Sequence, residues 1–202
     1  MSDFNIRSYN SADKDHVYNI CLQTGESGKD ATHLFTDPLV LGHIYAGPYM
    51  EYEPQSVFIL NDENGPCGYI MGTMNSNAFY DWMYKDWFPA IRNNYNQPTG
   101  EPSKWNRTEK TVNILFQPMS KKLFKDYPAH LHIDLLPRAQ GQGQGKLMMD
   151  HYISHLKKNN IKGVHLELSI TNKRAFSFYR KYGMDELEQD DDSIYMGLYI
   201  DR

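Results

Sequence analysis

Cysteine is scarce in this sequence: Cys21 and Cys67 are the only two in 202 residues. They form neither a CxxC pair nor the spacing of zinc ligands, which excludes a redox motif and a structural zinc site. Two free thiols in a reducing cytoplasm are a better interpretation than a structural disulfide. We therefore expect a cytoplasmic protein.

Long apolar runs and excess positive charge are also missing. No stretch approaches the roughly 18 apolar residues of a membrane span, and the N-terminus has no apolar signal core. The net charge is −4, whereas nucleic-acid-binding domains favour basic surfaces. The acidic run at 190–193 lacks the further ligands of a metal site and indicates a solvated turn. We expect no membrane, nucleic-acid or metal partner.

The most informative stretch begins as a strand and continues into a glycine loop. His130, His132 and Asp134 alternate with leucines and an isoleucine, the period-2 pattern of a strand with two different faces. Pro137 ends the strand because it has no N–H for the ladder. Glycines follow at positions 141, 143 and 145, and then a helical pattern starts. Such a loop favours phosphate, since backbone N–H groups approach it and the helix N-terminus is positive.

Two common phosphate motifs do not match this loop. A P-loop needs Ser or Thr where Leu147 stands, and a dinucleotide fold needs Gly-x-Gly-x-x-Gly early in the chain. Gln140-x-x-Gly143-x-Gly145 instead resembles the (Arg/Gln)-x-x-Gly-x-(Gly/Ala) signature of the GNAT acetyltransferase superfamily.

A second motif strengthens this resemblance. Asn172-x-x-Ala175, then Phe178-Tyr179, then Gly183 is similar to the last helix of a GNAT domain. The resemblance implies an α/β (α+β) protein with the GNAT acyl-CoA N-acyltransferase fold. Its central sheet should be mixed, mostly antiparallel and flanked by helices, within one domain over residues 1–202.

The first 73 residues give the order β-α-α-β-β. We expect a first helix capped by Ser11, and a second that starts after Asp37-Pro38 and breaks at Gly47-Pro48.

A long connection, at about residues 75–128, separates this half from the glycine-loop strand. Links of this length are usually functional or disordered, and its many aromatic residues argue against disorder. We predict a helical insertion with one helix near Phe79–Trp87 and a second near residues 119–125. The insertion and its flanks resemble the acetyltransferase-like C-terminal domain of O-GlcNAcases and free-standing bacterial relatives.

The resemblance implies acetyl-CoA as the donor, with direct transfer to an amine acceptor. Backbone groups from Gln142 to Lys146 would bind the pyrophosphate, and the strand backbone at Leu135 to Pro137 would pair with pantetheine. The expected cofactor-binding residues are Leu135, Leu136, Pro137, Gln140, Gly141, Gln142, Gly143, Gln144, Gly145, Lys146, Ser169, Asn172, Ala175, Phe178 and Tyr179.

Three side chains are expected to carry the chemistry. By resemblance, Tyr179 occupies the position of the general acid that protonates the leaving thiolate. The sequence leaves open which of His130, His132 and Asp134 is the base; a histidine suits this role because it titrates near neutral pH, and Asp134 could instead hold the charge of the acceptor. His130, Trp82 and Trp87 are the predicted substrate-binding residues, with packing inside the protein as the alternative for each.

Two functions remain after these arguments. The first is an N-acetyltransferase acting on a primary amine of a small molecule or of a peptide lysine. The second is an acetyl-CoA-binding sensor module without turnover. An exposed aromatic insertion would suit a homodimer, although the sequence leaves the oligomeric state open.

Overall fold

A seven-stranded mixed sheet in the order β1–β2–β3–β4–β5–β7–β6 lies at the centre of the protein. The structure, a computed structural model, describes residues 3–118 and 121–200. Only β4 and β5 pair in parallel; the other neighbours are antiparallel. This confirms the predicted fold class. The strands are β1 (Asn5–Ser8), β2 (Val57–Asp62), β3 (Gly65–Thr73), β4 (Ala129–Leu135), β5 (Gly163–Ser169), β6 (Asp185–Gln189) and β7 (Ser193–Tyr199).

Helices flank this sheet, and none of the described ones is long and apolar enough to cross a membrane. Helix α1 packs against β3 and β4, and α7 packs against β3. The helices are α1 (Lys14–Thr24), α2 (Val40–Tyr45), α3 (Gly47–Tyr52), α4 (Ser76–Trp82), α5 (Phe88–Arg92), α6 (Arg107–Phe116), α7 (Gln144–Lys158) and α8 (Lys173–Tyr182).

The start of the first helical segment differs from the prediction. Asn10, rather than Ser11, is the N-cap, and a 3₁₀ turn over Ser11–Asp13 precedes α1. The side chain of Asn10 accepts from the N–H of Ala12 at 3.0 Å, while that of Asp13 accepts from the N–H of Asn10 at 2.9 Å. This reciprocal capping box satisfies two backbone donors at once, which explains why the cap lies one residue earlier.

The second helix ends before Gly47-Pro48 as predicted, with α2 running from Val40 to Tyr45, but a further helix that was not predicted follows at once. Helix α3 begins at Gly47, with Pro48 in its first turn. A proline is tolerated there because the first turn of a helix has no partner for its missing N–H. The dipeptide therefore separates two helices and does not start a loop.

The connection between β3 and β4 contains ordered helices. A π-helical segment, Met83–Trp87, joins α4 to α5, so the predicted aromatic helix exists and ends at Arg92. The second helix was predicted too late in the chain. It is α6, which starts after the Asn106 cap; residues 121–125 are not helical, and the rest of the predicted helix, Met119 and Ser120, lies outside the described residues.

Strands β4 and β5 pair only at their beginnings. Ala129 pairs with Val164 and His130 with His165, and no further pairs follow among the described residues. Along its other edge, β4 pairs with β3 from His130 to Leu135. The edge of β4 that faces β5 is therefore without a strand partner from Leu131 onward.

Candidate active site

A cleft of about 1230 Å³ opens where β4 and β5 separate. Its walls include residues from Leu131 to Leu135 on β4 and from Leu166 to Ser169 on β5. Pockets for one small ligand usually measure about 300–1,000 Å³. This cleft therefore has room for two substrates side by side.

The glycine loop forms one end of the cleft. Gly141 and Gly143 adopt left-handed conformations, with φ of 73° and 80°, which favour glycine. A Cβ atom at either position would meet no atom within 4 Å, so the space above the loop is open. Helix α7 starts at Gln144 without a side-chain cap. Open glycine backbone at an uncapped helix N-terminus fits a pyrophosphate group.

Hydrogen bonds hold this loop in place. The Gln140 side chain donates to the carbonyl oxygen of Leu135 at 2.6 Å and accepts from the Arg174 guanidinium at 2.7 Å. Arg138 donates to the carboxylate of Asp62 at 2.7 Å, which ties the loop to the β2–β3 hairpin. The loop is thus attached to three different elements.

Helix α8 and the end of β5 form another part of the cleft wall. Four of the predicted cofactor-binding residues line it: Ser169, Asn172, Ala175 and Phe178. The side chain of Asn172 accepts from the N–H of Ala175 at 3.1 Å, so it caps α8. A Cβ at Gly145 would lie 3.3 Å from the ring of Phe178, and this glycine therefore lets α7 approach α8 closely.

Four predicted cofactor residues do not line the described part of the cleft: Leu136, Pro137, Gln142 and Gln144. Leu136 is buried, and its N–H donates to the carbonyl of Cys67 at 2.8 Å. The Gln144 side chain is buried too, and its Oε1 has no hydrogen-bond partner among the described residues. Of these four residues, only Gln142 and Gln144 remain suited to a phosphate role, through their backbone N–H groups.

At the middle of the cleft, Asp134 and His132 form an ion pair. His132 Nε2 lies 2.9 Å from Asp134 Oδ2, and Nδ1 lies 3.0 Å from the carbonyl oxygen of Tyr45. The hydroxyl of Tyr69, on β3 directly opposite, donates to the same carboxylate oxygen at 2.6 Å. The side chains of His132 and Asp134 are 30% and 18% exposed, so both can reach a substrate in the cleft.

This arrangement shifts the titration of His132. Burial lowers the pKa of His132, but the charge of Asp134 and the hydrogen bonds to Asp134 and Tyr45 outweigh it, so the pKa is raised above 6.5. A carboxylate within hydrogen-bond distance favours the charged imidazole. His132 can therefore carry a proton near neutral pH.

His130 lies deeper than the other two polar residues of β4. It is 4% exposed, and its ring nitrogens lie 2.8 Å from the hydroxyls of Tyr49 and Ser76. Burial, together with the charges of His165, Lys121 and His132, lowers its pKa well below 6.5. His130 is thus a neutral histidine with both ring nitrogens already hydrogen-bonded.

Tyr179 lines the cleft and is 8% exposed. Burial, with a smaller effect from the charge of Asp134, raises its pKa above the ordinary value. Its hydroxyl therefore stays protonated at neutral pH, as a proton donor must. Tyr179 and Asp134 are far apart in the sequence, and the structure brings both to the same cleft.

The two predicted substrate-binding tryptophans lie elsewhere. Trp82 packs against Tyr52, with ring centroids 5.0 Å apart. Trp87 Nε1 donates to the carbonyl of His43 at 2.8 Å. Neither tryptophan is among the described residues that line the cleft. The aromatic side chains of α4, α5 and the π-helical segment that do line it are Phe79, Tyr80, Tyr84 and Phe88.

Sequence reasoning missed three parts of this site. The position of Tyr69 beside Asp134 depends on the register of β3 against β4, and the position of the Tyr45 carbonyl beside His132 depends on the path of α2. Neither contact has a local signal in the sequence. The third part, Tyr80, Tyr84 and Phe88, did have one, because residues four apart share a helix face.

Comparisons with known proteins support the same fold. The model of the "Acetyltransferase (GNAT) family" matches residues 114–184. Protein O-GlcNAcase of Rattus norvegicus is 26% identical over 187 residues, which cover 91% of this chain but 20% of that protein. The chain thus spans about a fifth of the length of the curated relatives it matches.

Solved structures show the same fold. A paia N-acetyltransferase from Thermoplasma acidophilum, solved in complex with coenzyme A, is 13% identical with a TM-score of 0.60, over 98% of this chain and 99% of that one; this likeness shows the fold alone. The structure of SsHAT is 31% identical with a TM-score of 0.90, over 99% of this chain and 100% of that one. Because SsHAT matches from end to end and the family model includes the glycine loop and α8, the chain belongs to the GNAT family of acetyltransferases.

Proposed function

We propose that this chain is an acetyl-CoA-dependent N-acetyltransferase that transfers the acetyl group to a primary amine within a ternary complex. One observation carries the proposal: a single cleft joins the glycine loop to Tyr179 and Asp134. A phosphate-binding end and a titratable middle in one cavity are what a two-substrate acyl transfer needs.

The cofactor would bind mainly through backbone groups. The N–H groups of the loop and of the first turn of α7 would hold the pyrophosphate, because Gly141 and Gly143 leave open space there. The edge of β4 without a strand partner would pair with the peptide-like groups of pantetheine. This edge leads toward Asp134, so the thioester would lie near Tyr179.

The side chains at the middle of the cleft divide the proton transfers. Bound acetyl-CoA supplies a thioester carbonyl that the amine attacks, so a C–N bond forms as the C–S bond breaks. The Tyr179 hydroxyl gives its proton to the leaving sulfur. The His132–Asp134 pair accepts the proton that the ammonium loses, directly or through water.

The test measures binding and turnover separately. Calorimetry with acetyl-CoA should show binding, and free-thiol release should appear when a panel of primary amines is added. Acetyl-CoA binding without thiol release for any amine would contradict the proposal and favour a sensor module without turnover. Absence of binding would contradict both functions.

A further inference from the structure

Beyond Asp134, the cleft ends in a row of aromatic rings. Tyr80, Tyr84 and Phe88 follow each other at every fourth residue along α4, the π-helical segment and α5. Ring centroids are 6.2 Å apart for Tyr80–Tyr84 and 5.8 Å apart for Tyr84–Phe88. Tyr80 also stacks on His130 at 4.9 Å, with the two rings nearly parallel. All of these rings lie along the cleft, but Phe88 is only 1% exposed, so Tyr80 and Tyr84 form the aromatic surface and Phe88 supports Tyr84 from within the protein.

Other apolar groups complete this end of the cleft. Tyr45 is 38% exposed and stands edge-on to His132, with ring centroids 6.4 Å apart. Ile114 of α6 lines the same cleft. Charged side chains also line the cleft, Arg107, Lys121 and Glu167 among them, so the aromatic rings form one side of this end. An aromatic side that lies near the Asp134 carboxylate favours ligands with an apolar body and one cationic end.

The charges around this end limit what the body of the acceptor can be. Lys121 is paired with Glu167 of β5 at 2.8 Å, and Lys122 is paired with Glu188 and with Asp190. These ion pairs fasten residues 121 and 122 to the far strands of the sheet, where both side chains line the cleft.

The same residues disfavour acceptors with several positive charges. The side chains of Arg107, Lys121 and Lys122 all line the cleft. Glu167 is already paired with Lys121, whereas the ion-pair partner of Asp134 is His132, which is charged only when protonated, so Asp134 can still receive one ammonium group. The further ammonium groups of a polyamine or a lysine-rich peptide would then meet Arg107 and a Glu167 carboxylate that Lys121 already holds, which costs binding energy.

We propose that the acceptor is a compact primary monoamine that carries an aromatic ring. Its amine lies at Asp134 and its ring lies against the wall formed by Tyr80 and Tyr84, which Phe88 supports. This inference rests on the proposed acetyl transfer and adds the substrate class.

The experiment compares four acceptors by free-thiol release: phenethylamine, butylamine, spermidine and a lysine-containing peptide. We expect kcat/KM for phenethylamine to exceed that for each of the other three by about two- to tenfold, which is the fold-change that one aromatic contact supplies. Butylamine is the matched control without a ring.

Variants then locate the ring-binding wall. Tyr84→Leu keeps apolar bulk but removes the ring, so the preference for phenethylamine over butylamine should fall by about two- to tenfold. Tyr95→Leu is the matched control, because Tyr95 belongs to the same connection, contacts His43 and does not line the described cleft. It should leave the preference unchanged.

The outcomes separate the two proposals. Equal rates with phenethylamine and butylamine, or a preference for spermidine or the peptide, would overturn the aromatic monoamine while leaving acetyl transfer intact. An unchanged preference in Tyr84→Leu would also overturn it. No acetyl-CoA binding and no thiol release with any amine would instead overturn the proposed function.

Discussion

The two ends of the cleft are built in different ways. The proposed cofactor end would use mainly backbone groups from two short stretches, near residues 135–146 and 169–179. The proposed acceptor end would use side chains from α2, β4 and the β3–β4 connection, such as Tyr45, Asp134 and Tyr84, with Tyr69 of β3 bonded to Asp134. Substitutions at the cofactor end should therefore act through backbone conformation, and those at the acceptor end through the chemistry of single side chains.

The largest expected effect is at the cofactor end. Gly143→Val places a β-branched residue at φ 80°, a conformation that costs about 1–3 kcal/mol for residues other than glycine. The loop should then leave the conformation that presents its N–H groups, and acetyl-CoA binding should fall by at least about 100-fold. Calorimetry measures the affinity, and circular dichroism checks the fold.

Gly100→Val is the matched control for this change. Gly100 has φ of 82° and the same open surroundings, but it lies in the loop before α6 and does not line the cleft. It should lose similar stability while keeping its affinity for acetyl-CoA. Unchanged affinity in Gly143→Val would remove the pyrophosphate interpretation of the loop.

At the middle of the cleft, Tyr179→Phe should slow the chemical step. Loss of a positioned acid typically lowers kcat by about 10²–10⁴-fold, while the retained ring should leave acetyl-CoA binding intact. Tyr182→Phe is the control on the same helix, because its hydroxyl bonds Asp150 at 2.9 Å, away from Asp134. Steady-state kinetics at saturating acetyl-CoA measures both. A Tyr179→Phe enzyme with the parent kcat would assign the acid role to another group or to water.

The sequence predicted the features that depend on contiguous residues and did not predict those that depend on contacts between distant elements. The β4 pattern, the glycine loop and the start of α8 depend on contiguous residues, and each has a local signal. The pairing of Tyr69 with Asp134 depends on a register set across the whole β3–β4 connection, so no local pattern announces it. Helix α3 was missed because Gly47-Pro48 resembles a break, although proline fits a first turn.

The start of α6 was missed for a different reason. Asn106 and Glu109 form a capping box, with reciprocal hydrogen bonds of 2.9 and 2.8 Å. Its Asn-x-x-Glu pattern is visible in the sequence. The prediction instead placed the helix later, at residues 119–125. The capping pattern could therefore have predicted where α6 begins, but not which residues of the connection line the cleft.

A smaller effect is expected when the His132–Asp134 pair is changed. If His132 is the base, kcat/KM should fall on the acidic side with a pKa above 6.5, because Asp134 raises the pKa of His132 despite burial. His132→Gln should remove that limb of the pH profile. A limb that persists unchanged in His132→Gln would assign the titration to another group.

The same pKa shift makes a prediction for stability. The folded chain holds the His132 proton more tightly than the unfolded chain, so the pair stabilises the fold fully below about pH 6.5. That contribution should be lost as pH rises through the raised pKa. Urea unfolding of the parent and of His132→Gln should therefore show a stability difference that shrinks with rising pH; a difference that grows would contradict the assigned shift.

The smallest expected effect on catalysis concerns Trp87, which packs behind the acceptor end and does not line the described cleft. Trp87→Phe keeps an aromatic ring against Trp82 but removes the hydrogen bond to the His43 carbonyl. It should lower stability by about 0.5–1.5 kcal/mol, a drop in Tm of a few degrees for a chain of this size, while both KM values stay at the parent level. Trp105→Phe loses an equivalent bond to the Thr99 carbonyl in an exposed loop, and should cost less because water can replace that bond. An increase in the acceptor KM of Trp87→Phe, with Tm unchanged, would place Trp87 at the acceptor site. It would then contradict the interpretation that Trp87 only packs behind the residues that line the cleft.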